Sequence, residues 1–169
     1  LGRLQHGSVQ NTDDTLRSDR IAFVRPEQEL AGGSALTAYC ALADALRVKL
    51  GAQRSLSERL DGQLDGCNYM CAVYPGGGAR YVKHRDALPY KAGRKLTVIY
   101  YLNEQWEQGH GGELRIWPTD GSDETVTIET LADRLLLFIS SLEHEVLPAW
   151  QPRFALTTWL FNKRDTALE

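Results

Sequence analysis

The chain has 169 residues, of which 43% are hydrophobic and 24% are charged, and its net charge is −3. That length predicts one well-cored domain over residues 1–169 and excludes two ordinary ones. Because acids and bases are mixed and no segment approaches the roughly 18 apolar residues of a membrane span, we expect a soluble monomer without a nucleic-acid or membrane partner.

The amino-terminal third predicts an arm, a strand and a helix. Residues 1–18 are polar without a hydrophobic period, which is typical of a mobile arm. Residues 20–24, followed by Pro26, predict a strand. A helix should begin after Ser34 as its N-cap and end at Gly51. Its apolar positions recur at three- and four-residue steps: Leu36, Tyr39, Leu42, Ala43, Leu46 and Leu50. This is the only helix that the sequence predicts.

After about residue 68 the chain consists of short β-rich runs broken by Gly, Pro, Asp and Asn. Eight strands are predicted, at residues 69–74, 81–86, 96–102, 114–117, 125–128, 134–140, 145–147 and 153–161. Eight short strands without intervening helices predict a mainly β fold, a double sheet or jelly roll, with the helix packed across the outside of one sheet.

The three cysteines, Cys40, Cys67 and Cys71, are an odd number at irregular spacing. That pattern favours reduced thiols in the cytosol or nucleus over a disulfide framework. Cys67 and Cys71 are four residues apart, but no second pair completes a zinc site, so buried and inert thiols are the favoured interpretation.

Two histidines and an aspartate form the strongest candidate for a functional site. His84 and Asp86 are two apart, so on a strand their side chains project from one face. His144 follows a strongly apolar strand and is predicted at the mouth of a loop. Two imidazoles and a carboxylate are the ligands that hold non-haem Fe(II) on one side and leave other positions open.

Other metal sites fit the sequence less well. His6 lies in the polar arm, and His110 is predicted as a solvated loop residue. A cupin-like site needs a second histidine two residues after His84, where Asp86 stands instead. Zinc needs a hydrolytic base, and Glu143 and Glu145 should point away from His144 by strand alternation.

Arg153 is the candidate clamp for an anionic cosubstrate. It shares strand parity with Ala155, Thr157 and Trp159, so these residues line one face. A buried guanidinium needs an anion, and its planar fork suits a carboxylate. Tyr101, at the end of another predicted strand, can donate a hydrogen bond to the same group. The alternative is a surface ion pair of Arg153 with Asp133 or Glu129.

The residues around these positions resemble those of the 2-oxoglutarate and Fe(II)-dependent prolyl hydroxylases, most closely the hypoxia-inducible-factor type. The resemblance runs from about residue 17 to 165. Its strongest stretches are Tyr-Pro-Gly-Gly-Gly at 74–78, Tyr-Val-Lys-His-Arg-Asp at 81–86, and the segments 99–103, 111–116, 133–136 and 144–146. That family has a double-stranded β-helix, a jelly roll. The loop at 52–66 is a departure, since it is longer than expected.

The resemblance implies a role for each matching position. His84, Asp86 and His144 would bind Fe(II), and Arg153 and Tyr101 would hold the distal carboxylate of 2-oxoglutarate. The other matching positions are Tyr74 and Thr157 in the cosubstrate pocket, Met70, Ile99, Leu114 and Trp159 at its apolar walls or mouth, and Arg94 with Trp159 at the substrate groove. Residues 4–20 would cover a bound peptide.

The implied activity is that of a peptidyl-proline 4-hydroxylase. Such an enzyme uses Fe(II), O2 and 2-oxoglutarate, with ascorbate as reductant, and yields hydroxyproline, succinate and CO2. Oxygen sensing in the cytoplasm, and also in the nucleus, is the implied role. Two other classes remain open: a 2-oxoglutarate oxygenase that acts on another side chain or a small molecule, and a metal-binding scaffold without catalysis.

Overall fold

The computed structural model describes residues 5–6, 15–26, 35–87, 93–119 and 124–166. Its strands are β1 (Gln5–His6), β2 (Arg20–Val24), β3 (Gly66–Tyr74), β4 (Ala79–His84), β5 (Arg94–Tyr101), β6 (Leu114–Trp117), β7 (Val126–Ile128), β8 (Leu135–Ile139), β9 (Glu143–Ala149) and β10 (Arg153–Phe161). Its helices are α1 (Ala35–Gly51), α2 (Arg54–Arg59) and α3 (Lys163–Thr166), with a 3-10 turn at Gln108–His110.

The strands form two antiparallel sheets. The larger sheet has the order β1-β2-β3-β10-β5-β8, and the smaller has the order β4-β9-β6-β7. Side chains from both sheets fill one core cluster, which includes Tyr74 and Tyr101 from the larger sheet and Leu114 and Val146 from the smaller. The predicted jelly roll is confirmed, and the functional candidates lie between the sheets.

The outer face of the larger sheet is covered by helices, which explains why its central strands are apolar on both faces. Leu96, Val98 and Leu160 pack there against Leu60 and Leu64. Closer to β3, Cys40 and Ala43 of α1 pack with Val24 and Tyr69. The helix therefore lies across the outside of one sheet, as predicted.

The buried stripe of α1 differs from the predicted one at a single position. Leu42 is 71% exposed, whereas Cys40 is 3% exposed. Each residue turns about 100° around a helix, so Leu42 falls at the edge of a stripe centred on Ala43. The placement of Leu42 on the buried face was therefore wrong. Ser34, the predicted N-cap, lies outside the described residues.

The sequence predicted α1 as the only helix, which was wrong, because the structure has two further short helices, α2 and α3. In α2 the single apolar residue is Leu56, which is half-buried against the cluster under the larger sheet. Helix α3 has four residues and no apolar one. Neither segment is long enough to show a hydrophobic period, so the pattern gave no signal. No helix in the described ranges is long and apolar enough to cross a bilayer.

Residues 1–4 and 7–14 of the predicted arm lie outside the described residues. The described parts of that region are attached to neighbouring strands. Gln5 and His6 pair with Ile21 and Arg20, and the backbone amide of Val82 donates to the carbonyl of Leu16 at 2.9 Å. The segment before β2 is therefore hydrogen-bonded to β4.

Candidate active site

The three predicted metal ligands come together between the two sheets. His84 Nε2 lies 3.9 Å from Asp86 Oδ1, and His144 Nε2 lies 3.7 Å from Asp86 Oδ2. One ligand atom from each residue lies within 4.8 Å of the other two. His84 and His144 are also register partners on adjacent strands. A single ion can therefore contact all three side chains.

Two predictions about the backbone were wrong: that His84 and Asp86 share one strand face, and that His144 lies at the mouth of a loop. Strand β4 ends at His84, so Asp86 lies in the following bend and not on a shared strand face. His144 is the second residue of β9 and not part of a loop. Glu143 and Glu145 do point away, as predicted, since they pair with Lys83 and Arg115 on the outer face.

Backbone carbonyls fix the orientation of both imidazoles. His84 Nδ1 lies 2.8 Å from the carbonyl of Val82, and His144 Nδ1 lies 2.9 Å from that of Leu142. A carbonyl oxygen only accepts, so each Nδ1 carries the proton. The lone pair of each Nε2 is left facing the cluster, which is the usual arrangement of a metal-binding histidine.

The protonation states also suit a divalent cation. Burial, with the neighbouring His144, holds the pKa of His84 well below its usual value, although Asp86 opposes this shift. Burial alone would raise the pKa of Asp86, but the two imidazoles, the indole N–H of Trp159 and the hydroxyl of Thr97 lower it overall. At neutral pH His84 is therefore neutral and Asp86 is ionised, the forms that bind a metal.

A stack of side chains supports His84 from the side of β2. The rings of Tyr81 and His84 are 3.5 Å apart between centroids and nearly parallel, and the guanidinium of Arg17 lies 4.3 Å from the Tyr81 centroid. Arg17 in turn donates two hydrogen bonds of 2.6 Å to the fully buried Asp19. The metal ligand is thus packed, through Tyr81, against Arg17 at the end of the predicted arm.

Arg153 is buried between the sheets without an acidic partner. It is 3% exposed, and its Nε donates to the carbonyl of Gly112 at 2.7 Å. Within the described ranges no carboxylate lies at ion-pair distance from the guanidinium, and its hydrogen bond to the Gly112 carbonyl comes from Nε and not from the two terminal nitrogens. Asp133 accepts from Tyr100, and Glu129 pairs with Arg134, so the alternative of a surface pair with Arg153 was wrong.

Gly112 is shaped by the approach of Arg153. Its φ is +77°, and a Cβ there would lie 2.8 Å from Arg153 Cδ. A larger residue would therefore be strained in its backbone and would press on the arginine. This glycine lets the guanidinium pack deep between the sheets.

Aromatic side chains surround the guanidinium and leave one polar atom without a partner. The Arg153 Cζ lies 4.7 Å from the ring centroid of Tyr74 and 5.2 Å from that of Tyr101. Tyr101 is fully buried, and its hydroxyl has no hydrogen-bond partner among the described residues. Burial raises the pKa of Tyr101, so the phenol stays protonated and can donate.

The other residues named from the resemblance lie in the larger sheet and in the core between the two sheets. Thr157 is buried between Met70 and Ile99 in the register of the larger sheet. The predicted apolar walls all belong to the core between the sheets: Met70, Ile99, Leu114 and Trp159. A bound carboxylate beside Arg153 would meet the orphaned Tyr101 hydroxyl, so these residues fit a dicarboxylate cosubstrate.

Arg94 and Trp159 form one wall near the triad. The Arg94 Cζ lies 4.0 Å from the Trp159 ring centroid, and its Nη1 is 3.4 Å from the carbonyl of Asp86. Phe23 of β2 lies 6.4 Å from Trp159 between centroids and is 59% exposed. An exposed phenylalanine beside the site was not predicted, because a single aromatic residue on a short strand carries no distinctive pattern.

Other cysteine and histidine predictions concern residues outside this site. Cys40, Cys67 and Cys71 are free thiols, and no cysteine belongs to the metal-ligand group found in the described ranges. His110 is only partly exposed, and its Nδ1 accepts a hydrogen bond from the Glu107 amide. It lies in the 3-10 turn, outside the ligand cluster, and keeps part of its surface in solvent.

A jelly roll with a facial two-histidine, one-carboxylate cluster and an unpaired buried arginine defines the class of non-haem iron oxygenases that use an anionic cosubstrate. A family model described as the 2OG-Fe(II) oxygenase superfamily matches residues 69–161. That range includes all three ligands and Arg153 and is more than half of the chain. The chain belongs to the 2OG-Fe(II) oxygenase superfamily, whose name states its dependence on 2-oxoglutarate and Fe(II).

Two relatives of known sequence are prolyl hydroxylases by name. The chain is 45% identical to the hypoxia-inducible factor prolyl hydroxylase of Caenorhabditis elegans over 117 residues, which are 66% of this chain and 16% of that protein. It is 37% identical to prolyl hydroxylase EGLN3 of Mus musculus over 158 residues, 90% of this chain and 62% of the mouse protein. It thus spans less than two thirds of either relative.

A solved structure shares the fold across nearly the whole chain. This is the prolyl hydroxylase from Trichoplax adhaerens in complex with a peptide fragment of the oxygen degradation domain of hypoxia inducible factor. The TM-score is 0.77 with 32% identity, and the match covers 99% of this chain and 74% of that one.

Proposed function

We propose that this chain is the catalytic domain of a protein prolyl 4-hydroxylase. It would use Fe(II), O2 and 2-oxoglutarate and yield hydroxyproline, succinate and CO2. The observation that carries the proposal is the pairing of the His84, Asp86 and His144 cluster with a buried, unpaired Arg153. Three relatives with prolyl hydroxylase in their names support proline as the target.

The cosubstrate site is built from four side chains. Arg153 would bind the distal carboxylate of 2-oxoglutarate through its two terminal nitrogens, in the bidentate geometry that a guanidinium favours. Tyr101 would donate to the same carboxylate. Tyr74 packs its ring on the guanidinium and Thr157 adds a nearby hydroxyl, while the apolar walls exclude water.

The three ligands His84, Asp86 and His144 would hold the metal ion. When bound, Fe(II) supplies the dioxygen chemistry in which oxidative decarboxylation of 2-oxoglutarate is coupled to hydroxylation of a C–H bond. The chain's own contribution is geometric. The carbonyls of Val82 and Leu142 hold each imidazole in one tautomer, and Asp86 supplies the negative charge.

The substrate site would be the wall formed by Arg94, Trp159 and Phe23. Proline presents an apolar ring and no N–H, so an aromatic side chain such as the exposed Phe23 suits it better than a hydrogen-bonding group. The guanidinium of Arg94 can donate to a peptide carbonyl. An extended peptide laid across this wall would bring one proline ring to the metal. Residues 4–20 would cover it.

The proposal also covers location, reductant and assembly. The free thiols are consistent with a cytoplasmic, and also nuclear, location. Ascorbate would act as reductant, and the domain would work as a monomer with an oxygen-sensing role. Neither a nucleic acid nor a membrane is a proposed partner, since the net charge is −3.

A hydroxylation assay tests the proposed function. The protein is incubated with Fe(II), 2-oxoglutarate, ascorbate and a peptide digest of source-cell proteins, and then modified peptides are mapped by mass spectrometry. We expect gains of one oxygen atom at proline, absent from synthetic copies of the same peptides with Pro→Ala. Gains confined to other residues or to small molecules would identify a different oxygenase. Iron binding without succinate formation would identify a scaffold.

Replacing Tyr101 by phenylalanine is expected to change cosubstrate affinity and stability in opposite directions. Losing a hydrogen bond to a charged group costs about 1.5–3 kcal/mol, so the Kd for 2-oxoglutarate should rise roughly tenfold or more. The apo-protein should be as stable as wild type or more so, because the lost hydroxyl has no partner. Calorimetry and chemical denaturation measure the two effects.

Tyr69→Phe is the matched control for this prediction. The Tyr69 hydroxyl contacts Cys67 Sγ at 2.8 Å and the Cys40 carbonyl at 3.2 Å, under α1 and away from the site. That variant should lose about 1 kcal/mol of stability and keep its 2-oxoglutarate affinity. Unchanged 2-oxoglutarate affinity in Tyr101→Phe would remove Tyr101 from the cosubstrate site.

A further inference from the structure

Asp86 is the one metal ligand that no strand holds. His84 and His144 are register partners on β4 and β9, and the backbone of each strand fixes its imidazole. Asp86 follows the end of β4 in a bend. A carboxylate on such a bend can rotate about its side-chain torsions unless another group holds it. Its orientation must therefore be set by contacts from elsewhere.

The Asp86 carboxylate is approached by the indole of Trp159 and by the hydroxyl of Thr97, which is itself hydrogen-bonded to the hydroxyl of Ser140. Thr97 Oγ1 lies 2.7 Å from Asp86 Oδ2, and Ser140 Oγ lies 2.9 Å from Thr97 Oγ1. Thr97 and Ser140 are both 0% exposed. The backbone of Ser140 also holds the bend, because its carbonyl accepts from the Ala87 amide at 3.0 Å.

The chemistry of these groups fixes the direction of the hydrogen bonds. An ionised carboxylate only accepts, so the Thr97 hydroxyl donates to Asp86. Its single proton is then committed, and the Ser140 hydroxyl must donate to Thr97 Oγ1. The result is a directed relay from Ser140 to Thr97 to Asp86. Bonds aligned in this way polarise and strengthen one another in a buried site.

We propose that Thr97 and Ser140 are positioning residues that orient the carboxylate of the metal ligand Asp86. Thr97 holds Oδ2, and this contact fixes the plane of the carboxylate between His84 and His144, where Asp86 would bind the ion. Two ligands belong to the smaller sheet and the third is anchored to the larger one, so the relay keeps the site assembled across the two sheets. The inference rests on the metal centre of the proposed function and not on its substrate.

Metal binding by the apo-protein tests the relay independently of hydroxylation. Mn(II) is titrated into the full chain, and free Mn(II) is measured by electron paramagnetic resonance. Thr97→Val removes the hydroxyl and keeps the shape. Loss of a group that orients a metal ligand typically weakens binding by about ten- to a hundredfold, and we expect at least about tenfold here. Thr97→Ser, which restores a hydroxyl, should bind within about threefold of wild type.

Thr130→Val is the matched control. Thr130 is also fully buried, but its hydroxyl has no hydrogen-bond partner in the described part of the chain. Its loss should leave the Mn(II) Kd unchanged. The visible spectrum of the Co(II)-loaded protein adds a signature of ligand geometry, which should change in Thr97→Val and not in Thr130→Val.

A Thr97→Val protein that binds Mn(II) as tightly as Thr130→Val overturns the proposal. If Thr97→Val does not fold, Ser140→Ala decides, because it removes the first donor and leaves Thr97 in place. We expect it to weaken Mn(II) binding about threefold or more, and wild-type affinity there overturns the relay. The expected order of Mn(II) affinities together with no hydroxylation by the wild-type protein would instead count against the proposed function alone.

Discussion

Replacing His84 by alanine is expected to abolish turnover while leaving the fold intact. The substitution removes one of the three metal ligands. In the wild-type protein the Nε2 of His84 can contact the same ion as Asp86 and His144. The lost contact with Tyr81 is an aromatic stack that contributes about 1 kcal/mol, a small part of the roughly 5–15 kcal/mol of a folded domain. Succinate formation and the melting temperature of the apo-protein measure the two effects.

His110→Ala is the control for the His84 variant. His110 lies in the 3-10 turn and accepts one hydrogen bond from the Glu107 amide, and it is not part of the ligand cluster. Its removal should leave Fe(II) binding and turnover unchanged. Wild-type turnover in His84→Ala would contradict the assignment of the metal centre.

Replacing Arg153 by methionine is expected to remove the response to 2-oxoglutarate. Taking away one partner of a buried charge pair costs about 3–5 kcal/mol, so the cosubstrate requirement should rise on the order of a hundred- to a thousandfold. The free protein should not lose comparable stability, because within the described ranges Arg153 has no anionic partner. Adding 2-oxoglutarate to the metal-loaded protein should raise the melting temperature of the wild type and not that of the variant.

Arg134→Met separates this effect from a general change in charge. Arg134 is at the surface, where it donates to the Glu129 backbone and lies 3.7 Å from the Glu129 carboxylate. Exposed pairs of this kind contribute about 0–1 kcal/mol. Its cosubstrate dependence should match wild type. A normal requirement for 2-oxoglutarate in Arg153→Met would show that the clamp lies elsewhere.

The strands were the most predictable part of the fold. Residues 20–24, 114–117 and 153–161 were predicted with the observed bounds. In those segments side-chain alternation or a long apolar run ends at a clear turn signal. Helix α2 could not be predicted in this way, because its one apolar residue, Leu56, packs against residues of the larger sheet that are distant in the sequence.

The site was predictable in composition and less so in geometry. A bulge in β4 explains much of the difference. Tyr81 pairs with Val146, and His84 pairs with His144. The two paired positions are therefore three residues apart along β4 but only two apart along β9. Simple alternation places Tyr81 and His84 on opposite faces, whereas the extra residue lets their rings stack. Asp86 likewise reaches the metal site from a bend that strand parity cannot describe.

Thr97 and Ser140 were missed although a signal for them existed. Thr97 shares the parity of Ile99 and Tyr101 on β5, and Ser140 continues that of Leu136 and Phe138 beyond β8. Both therefore face inward, and a buried hydroxyl needs a polar partner. That partner, Asp86, is 11 residues from Thr97, and the pairing emerges only when β4 and β5 lie in facing sheets.

Labelled dioxygen gives the most direct test of prolyl hydroxylation by this site. The metal-loaded protein is supplied with 2-oxoglutarate, a proline-containing peptide identified in the digest, and ¹⁸O2. One labelled oxygen atom should enter the proline ring and the other should enter succinate, in equal amounts. Labelled succinate with no label on any proline, or no succinate at all, would contradict the account.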